Sequence, residues 1–198
     1  MRFALAAAAA LAAAVLLAGC DKLLPNAHSP FNAVDVTGSP LAGDFHLVDA
    51  DGKPRSLADF RGKVVVVTFG YTHCPDVCPT TLADFAAARK KLGAEASRVQ
   101  VLFVTVDPQR DTAELLRQYV PAFDPSFIGL RGELPAIDKV TRDFHVYANR
   151  REGSTGAYTV DHSAQSFVFD PAGKLRLVIG YGMEPEKIAS DLRLLLNA

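Results

Sequence analysis

The sequence predicts an α/β fold in which a central mixed sheet is flanked by helices. Two runs rich in β-branched and other apolar residues, at residues 64–69 and 99–106, are expected of strands that are buried on both faces of a sheet. Each run is followed by a segment in which apolar residues recur with helical spacing. Near the end of the chain, the turn sequence at residues 170–173 separates two further strand-like segments and predicts an antiparallel hairpin.

The predicted elements follow one another in a regular order. Residues 45–48 and the Asp51-Gly52 turn predict a short N-terminal hairpin. The helix after the first long strand carries an apolar stripe from Leu82 to Leu92. The later predicted elements are a helix that begins at Asp111 or Thr112, a strand at 127–130, a helix at 134–144, a solvated loop or hairpin inserted at 150–156, strands at 166–169 and 174–179, and a helix at 184–196.

This order of strands and helices is thioredoxin-like. Because parallel crossovers are right-handed, the first long strand should lie centrally, with the residues that follow it at the C-terminal edge of the sheet. Asp111 or Thr112 is the candidate N-cap of the second predicted helix, and Asp111 with Glu114 has the spacing of a capping box.

The start of the chain predicts an export signal over residues 1–19. A positive Met1-Arg2 precedes an apolar run at residues 3–18, which is shorter than the roughly 20 residues of a spanning helix. The small residues before Cys20 resemble the lipobox of bacterial lipoproteins, which implies cleavage before Cys20 and lipid on its sulfur. An ordinary signal peptide, or an N-terminal helix with a chance cysteine, is the alternative.

This interpretation divides the chain into three parts and predicts its location in the cell. The three parts are a lipoprotein signal peptide at 1–19, a lipidated tether at 20–40, and a thioredoxin-like domain at 41–198. The tether is rich in Pro, Ser, Asn, Gly and Ala and shows no periodicity. The expected location is the bacterial cell envelope, as an inner-membrane lipoprotein that faces the periplasm.

Cysteine count and charge exclude several classes of protein. The sequence has three cysteines, so if Cys20 carries lipid, only Cys74 and Cys78 remain as thiols. They can pair with each other or bind a metal, but they cannot form a framework of several disulfides. The formal net charge is −1, and no basic patch indicates nucleic-acid binding.

Cys74 and Cys78 lie four residues apart in a Pro-flanked turn just after a strand. If Cys78 occupies the first turn of the following helix, the free N–H groups and the helix dipole favour thiolate over thiol. Two thiolates at this spacing form a chelate, and soft sulfur favours Cu(I) over hard cations. Redox chemistry and a buried structural pair are the alternatives; Cys-x-x-Cys is the commoner redox spacing.

His162 is the candidate third ligand. It lies in residues 158–163, at the predicted start of the strand that faces the cysteine turn. An imidazole there would complete a three-coordinate Cu(I) site or join a tetragonal Cu(II) site. A lone histidine is more often a hydrogen-bonded structural residue, so the position of His162 decides between the two interpretations.

Three blocks of sequence, at residues 70–79, 107–112 and 158–163, resemble those of the Sco/SenC family and come in the same order. Members of that family are membrane-tethered, thioredoxin-like copper proteins that help to build the CuA centre of cytochrome c oxidase. The resemblance implies that Cys74, Cys78 and His162 are copper ligands. It also links Asp107 to copper transfer or partner docking.

Two aspartates have simpler interpretations from the sequence alone. Asp107 stands at a strand end before Pro108 and is equally consistent with an ordinary turn residue. Asp161 precedes His162 and is interpreted as a turn carboxylate or as a residue that supports the metal ligands.

Three functions are therefore weighed. The first is a copper metallochaperone, not an enzyme, which receives copper as Cu(I) or Cu(II) and passes it to cytochrome c oxidase subunit II. Another periplasmic copper chaperone or a thiol reductase would be a further partner. The second is a thiol–disulfide oxidoreductase that uses a Cys74–Cys78 disulfide, either to reduce the CuA-site cysteines or in periplasmic redox homeostasis. The absence of Pro from residues 163–166 disfavours a general reductase. The third, a peroxidase, lacks the Pro-x3-Thr-x2-Cys pattern.

Overall fold

A mixed sheet forms the centre of the molecule in the computed structural model, which describes residues 29–41, 43–153 and 157–198. Its strands, with those of a separate hairpin, are β1 (Val34–Asp35), β2 (Leu47–Asp49), β3 (Pro54–Arg55), β4 (Val64–Gly70), β5 (Val99–Thr105), β6 (Ile128–Arg131), β7 (Ala148–Glu152), β8 (Tyr158–His162), β9 (Ser166–Phe169) and β10 (Leu175–Ile179). The α-helices are α1 (Val77–Leu92), α2 (Ala113–Tyr119), α3 (Leu134–Asp143) and α4 (Pro185–Leu196). The observed order confirms the predicted α/β class and nearly all of the predicted elements.

The central strands are β4 and β5. They run parallel, and every residue of both strands is buried. In the sheet order β1-β10-β9-β4-β5-β6-β2-β3, strand β6 continues the parallel set, whereas β9 pairs with β4 antiparallel. The register pairs Gly70 with Thr105, so the carboxyl ends of the two long strands lie side by side. The segments that carry Cys74, Cys78 and Asp107 begin at this edge.

Helices and an aromatic cluster close the core around the sheet. Helix α1 packs against α4, as the apolar spacing of both segments predicts. The Phe144 ring makes edge-to-face contacts with three other rings, at centroid distances of 5.3 Å to Phe69, 5.3 Å to Phe167 and 6.0 Å to Phe169.

Strands β7 and β8 form a two-stranded hairpin outside the main sheet. This confirms the predicted insertion, although its residues 154–156 lie outside the described part of the chain. His162 is the last residue of β8 and pairs with Ala148. It therefore ends the hairpin, whereas the sequence placed it at the start of a strand of the main sheet; that strand, β9, begins at Ser166.

The compact domain begins at Phe31, earlier than the expected boundary at residue 41. Strand β1 pairs with β10, and the backbone N–H groups of Asn32 and Ala33 donate to the buried Asp191 carboxylate at 2.9 and 2.8 Å. The predicted signal peptide and Cys20 lie outside the described residues. Within those residues, no helix has both the length and the apolar character needed to cross a membrane.

Candidate metal centre

The two cysteines are brought together by the turn between β4 and α1. The Cys74 N–H donates to the Tyr71 carbonyl at 3.2 Å, which closes the turn after the strand. Cys78 is the second residue of α1, as the sequence predicted, and is only 3% exposed. Cys74 is half-buried, and both are free thiols. The pair therefore has one sulfur that solvent can reach and one that packs into the core.

Gly70 makes room for the buried sulfur. A Cβ at this position would lie 2.7 Å from Cys78 Sγ and 2.7 Å from Cε2 of Phe103, closer than real Cβ contacts come. The last residue of β4 must therefore lack a side chain for Cys78 to sit directly under the strand end. The position of the sulfur is fixed by packing as well as by the turn.

His162 reaches the same point from the hairpin. Its Nδ1 lies 2.9 Å from the carbonyl oxygen of Ser163, which can only accept, so Nδ1 carries the proton. Nε2 then presents its lone pair and lies 3.4 Å from Cys78 Sγ. The Tyr71 ring packs edge-on against the imidazole, with centroids 5.9 Å apart. This arrangement selects the tautomer in which Nε2 is free to bind a metal.

The three donor atoms form one cluster. Cys74 Sγ, Cys78 Sγ and one ring nitrogen of His162 all lie within 4.8 Å of one another. A first-row metal about 2.3 Å from each of three donors holds them roughly 4 Å apart, so the cluster needs little movement to close on an ion. Two sulfurs and an imidazole match the preferences of copper, whereas structural zinc sites take four protein ligands.

Burial sets the protonation states of the metal-free site. It raises the pKa of Cys78 well above its usual range, and it lowers the pKa of His162 below 6.5. The helix N-terminus was expected to favour a thiolate, and for Cys78 that expectation is wrong because loss of hydration outweighs the helix dipole. The metal-free site thus holds a Cys78 thiol and a neutral imidazole, and metal binding must displace the thiol proton.

Comparison with known proteins gives the family. The sequence model of the SCO1/SenC family matches residues 34–197. The chain belongs to the SCO1/SenC family. The mitochondrial protein SCO2 homolog of Homo sapiens is 38% identical over 154 residues, which are 76% of this chain and 58% of the human protein. The SCO2-like protein of Rickettsia felis is 33% identical over 155 residues, which are 77% of this chain and 76% of that protein.

Solved structures of SCO1/SenC proteins have the same fold. Bradyrhizobium japonicum ScoI, solved with copper bound, is 37% identical with a TM-score of 0.73, and the match covers 78% of this chain and 99% of that one. Apo Sco1 of Thermus thermophilus is 38% identical with a TM-score of 0.75, covering 86% and 99%. These matches confirm the thioredoxin-like architecture.

The structure places Asp107 beside the SCO1/SenC cluster rather than in it. The carboxylate is 4% exposed, accepts a hydrogen bond from the Tyr158 hydroxyl at 2.8 Å, and pairs with the Arg110 guanidinium. Arg110 also donates to the Tyr158 carbonyl at 2.8 Å and stacks on its ring, 3.5 Å from the centroid. Asp107 and Arg110 therefore connect the end of β5 to the hairpin that carries His162.

Asp161 is a partly exposed carboxylate. It pairs with the Arg151 guanidinium across the hairpin, and it does not belong to the donor cluster found within the described residues. The structure thus brings together Cys74, Cys78 and His162 and keeps Asp107 and Asp161 outside the donor set.

Sequence reasoning missed the role of Asp111. Of the two predicted N-caps of α2, Thr112 is confirmed, since its hydroxyl accepts from Leu115 N–H at 3.2 Å, and the capping box with Asp111 is wrong. The Asp111 carboxylate turns inward instead. It accepts from the Thr72 N–H at 3.1 Å, the Thr72 hydroxyl at 2.6 Å and the Thr105 hydroxyl at 2.6 Å. The only sequence signal was that Asp111 and Thr72 both lie in family-like blocks.

Proposed function

We propose that this protein is a copper metallochaperone that delivers copper to the CuA centre of cytochrome c oxidase subunit II. The observation that carries the proposal is the convergence of Cys74 Sγ, Cys78 Sγ and a ring nitrogen of His162 within 4.8 Å in a SCO1/SenC protein. A relative that is 37% identical has been solved with copper bound. Delivery to CuA follows from the family resemblance.

The geometry suggests how copper is taken up and released. Binding displaces the thiol protons, and the neutral His162 supplies its Nε2 lone pair without losing a proton. Three ligands leave a bound ion open to a further one, so an incoming thiolate of the acceptor can join before a resident ligand leaves. Cys74 is more accessible than Cys78, and an acceptor would therefore approach from the Cys74 side.

A thiol–disulfide oxidoreductase is the second candidate function. It is favoured by the closeness of the two free sulfurs, of which the Cys74 sulfur is accessible for attack on an acceptor disulfide. In that reaction the two thiols would form a Cys74–Cys78 disulfide, give two electrons to the acceptor and release it as a dithiol. Copper binding and this reaction use the same sulfurs, so one excludes the other at any moment.

A paired assay separates the two functions. His162→Ala should weaken copper affinity more than the 10–100-fold typical of residues that only support a ligand, and Cys78→Ser should abolish both copper binding and disulfide exchange. His162→Ala removes no sulfur, so its rate of disulfide reduction should remain. The measurements are copper affinity by competition with a chelator and reduction rate on a model disulfide, for the full chain and both variants.

One result would reverse the order of the two functions. If His162→Ala bound copper as tightly as wild type but lost its reductase rate, the thiol oxidoreductase would be the better interpretation. Loss of both properties together with loss of the folded state, seen as a lost unfolding transition, would show that His162 is structural.

Membrane anchoring through Cys20 is part of the proposal. It rests on the small residues that precede Cys20 and places the domain at the periplasmic face of the inner membrane. Cys20→Ser should abolish lipid modification and release the protein from the membrane fraction. Intact mass of the membrane-extracted protein checks this, and a wild-type mass without lipid would contradict it.

A further inference from the structure

Asp111 is a fully buried carboxylate without a lysine or arginine partner among the described residues. Its side chain has no exposed surface, and the half-exposed His73 imidazole lies near it, with Nδ1 3.9 Å from Oδ1. Asp107, by contrast, is paired with Arg110. A buried charge without a partner is costly, so its presence beside a functional site calls for an explanation.

Every hydrogen bond of Asp111 has the direction that a carboxylate accepts. The Thr105 hydroxyl, which itself accepts from the Asp107 N–H at 3.0 Å, donates to Asp111 at 2.6 Å. The Thr72 N–H can only donate, and the Thr72 hydroxyl lies 2.6 Å from the other oxygen. Asp111 is the acceptor in each of these hydrogen bonds, as suits an ionised carboxylate.

The Asp111 carboxylate contacts β5 and the turn that follows β4. Thr105, which donates to it, pairs in register with Gly70, the residue at which a Cβ would collide with Cys78 Sγ. Thr72, which donates to its other side, is two residues before Cys74. Asp111 therefore ties the start of the cysteine turn to the end of β5 and places a buried carboxylate beside that turn.

The charge acts differently on the two oxidation states of copper. With two thiolates and a neutral imidazole, a Cu(II) site has no net charge, whereas a Cu(I) site has one net negative charge. A neighbouring buried anion repels the negatively charged form and leaves the neutral form nearly unaffected. Because Asp111 and the Cys78 side of the copper site are buried, dissolved salt screens the repulsion between them only weakly.

We propose that Asp111 sets the balance between the oxidation states of bound copper by disfavouring Cu(I) relative to Cu(II). This inference rests on the proposed function, since it takes copper as the cargo of the site. The consequence is a lower Cu(II)/Cu(I) reduction potential and looser retention of Cu(I). Asp111 is a positioning and electrostatic residue, and it does not touch the metal.

The test is the reduction potential of the copper-loaded full chain, measured by following the Cu(II)–thiolate absorption band during an electrochemical titration. Asp111→Asn keeps the shape of the side chain and removes its charge. The equilibrium for reducing bound Cu(II) should then shift about tenfold towards Cu(I), which is a rise of about 59 mV for one electron.

Asp191→Asn is the matched control, because Asp191 is also fully buried, also accepts hydrogen bonds from Asn32 and Ala33, and lies in α4 away from the cysteine turn. The copper reduction potential of the Asp191→Asn protein should equal that of wild type. A rise of similar size in both variants would overturn the proposal, as would an unchanged potential in an Asp111→Asn protein that still binds copper.

Thr72→Val gives an independent result if Asp111→Asn does not fold. It removes one donor to the carboxylate and keeps the charge, so the potential should fall; an unchanged or raised potential would overturn the proposal. Failure of the wild-type chain to bind copper in either oxidation state would overturn the proposed function itself, and this inference with it.

Discussion

Single residues decide whether a strand end, a turn and a hairpin produce a metal site. Gly70 leaves the space that the Cys78 sulfur fills, and the Ser163 carbonyl selects the tautomer of His162 that has Nε2 free. Neither residue is a ligand. Both fix the direction of a ligand atom, which is what distinguishes three nearby donors from a site that can close on an ion.

Gly70→Ala should disturb the site through packing alone. The added Cβ would overlap Cys78 Sγ and Phe103, so we expect a loss of about 1–3 kcal/mol in the free energy of unfolding. Displacement of the sulfur should also weaken copper affinity about tenfold or more. Denaturant unfolding and chelator competition measure the two effects.

Gly180→Ala is the control for Gly70→Ala, because a Cβ at Gly180 meets nothing within 4 Å and no positive φ is involved there. It should leave both quantities close to those of wild type. A Gly70→Ala protein that is as stable as wild type and binds copper equally well would contradict the view that Cys78 needs this glycine.

At the scale of elements, the β7–β8 hairpin is the part whose position is least determined by the main sheet. A two-stranded hairpin is only marginally stable alone, so it depends on its contacts with the domain. Tyr158 is tied to Asp107 and Arg110, and Val160 is buried at 7% exposure. Since His162 ends this hairpin, these contacts also position a ligand.

Arg110→Gln should therefore weaken copper binding without touching the metal site. It removes the charge that pairs with Asp107 and the guanidinium that stacks on Tyr158, so His162 should spend less time facing the cysteines. We expect a loss of copper affinity smaller than that of His162→Ala. In a His162→Ala background, Arg110→Gln should have a much smaller effect, because the ligand on the hairpin that it positions is absent.

Chelator competition on the two single variants and the double variant measures this coupling. Arg193→Gln, which removes an exposed arginine paired with Glu95 on another face, is the control and should bind copper like wild type. Losses of affinity that simply add in the double variant would show that Arg110 does not act through His162.

The elements themselves were predictable because their signals are local. The buried runs of β4 and β5 are rich in β-branched residues, and helices α1 and α4 show their apolar faces in the spacing of residues. The inward turn of Asp111 was not predictable in this way. Its partners Thr72 and Thr105 come from two other segments, whereas Glu114, at capping-box distance, suggested a purely local role.

The protonation of Cys78 shows the same limit. A helix N-terminus favours a thiolate, and that much can be read from sequence, but the opposing loss of hydration depends on how closely Gly70 and Phe103 pack around the sulfur. The three donor residues could be identified from their blocks of sequence; their tautomer, burial and protonation required the three-dimensional contacts.

At the scale of the whole molecule, the N-terminal segment belongs to the domain and not only to a tether. Residues 31–40 have no periodicity, so nothing in them predicts structure. They pair with β10, donate hydrogen bonds to Asp191, which lies 159 residues from Asn32 in sequence, and pack Phe31, Ala33 and Val36 against the core. Such long-range contacts leave no periodic pattern in so short a segment, which explains why the expected boundary fell at residue 41.

Whether residues 31–40 belong to the domain or act only as a tether can be tested by truncation. A chain that begins at Leu41 lacks the β1–β10 pairing and all three hydrogen bonds to Asp191, from Asn32 N, Asn32 Nδ2 and Ala33 N. Compared with a chain that begins at Ser29, it should lose about 2–4 kcal/mol of unfolding free energy, because a buried carboxylate is left without donors. Urea unfolding of the two proteins measures the difference. In the shorter chain, Asp191→Ala should recover part of the loss, whereas in the longer chain the same substitution should destabilise, since it removes a satisfied group. Equal stability of the two truncated proteins would mean that residues 31–40 act only as a tether, as their composition first suggested.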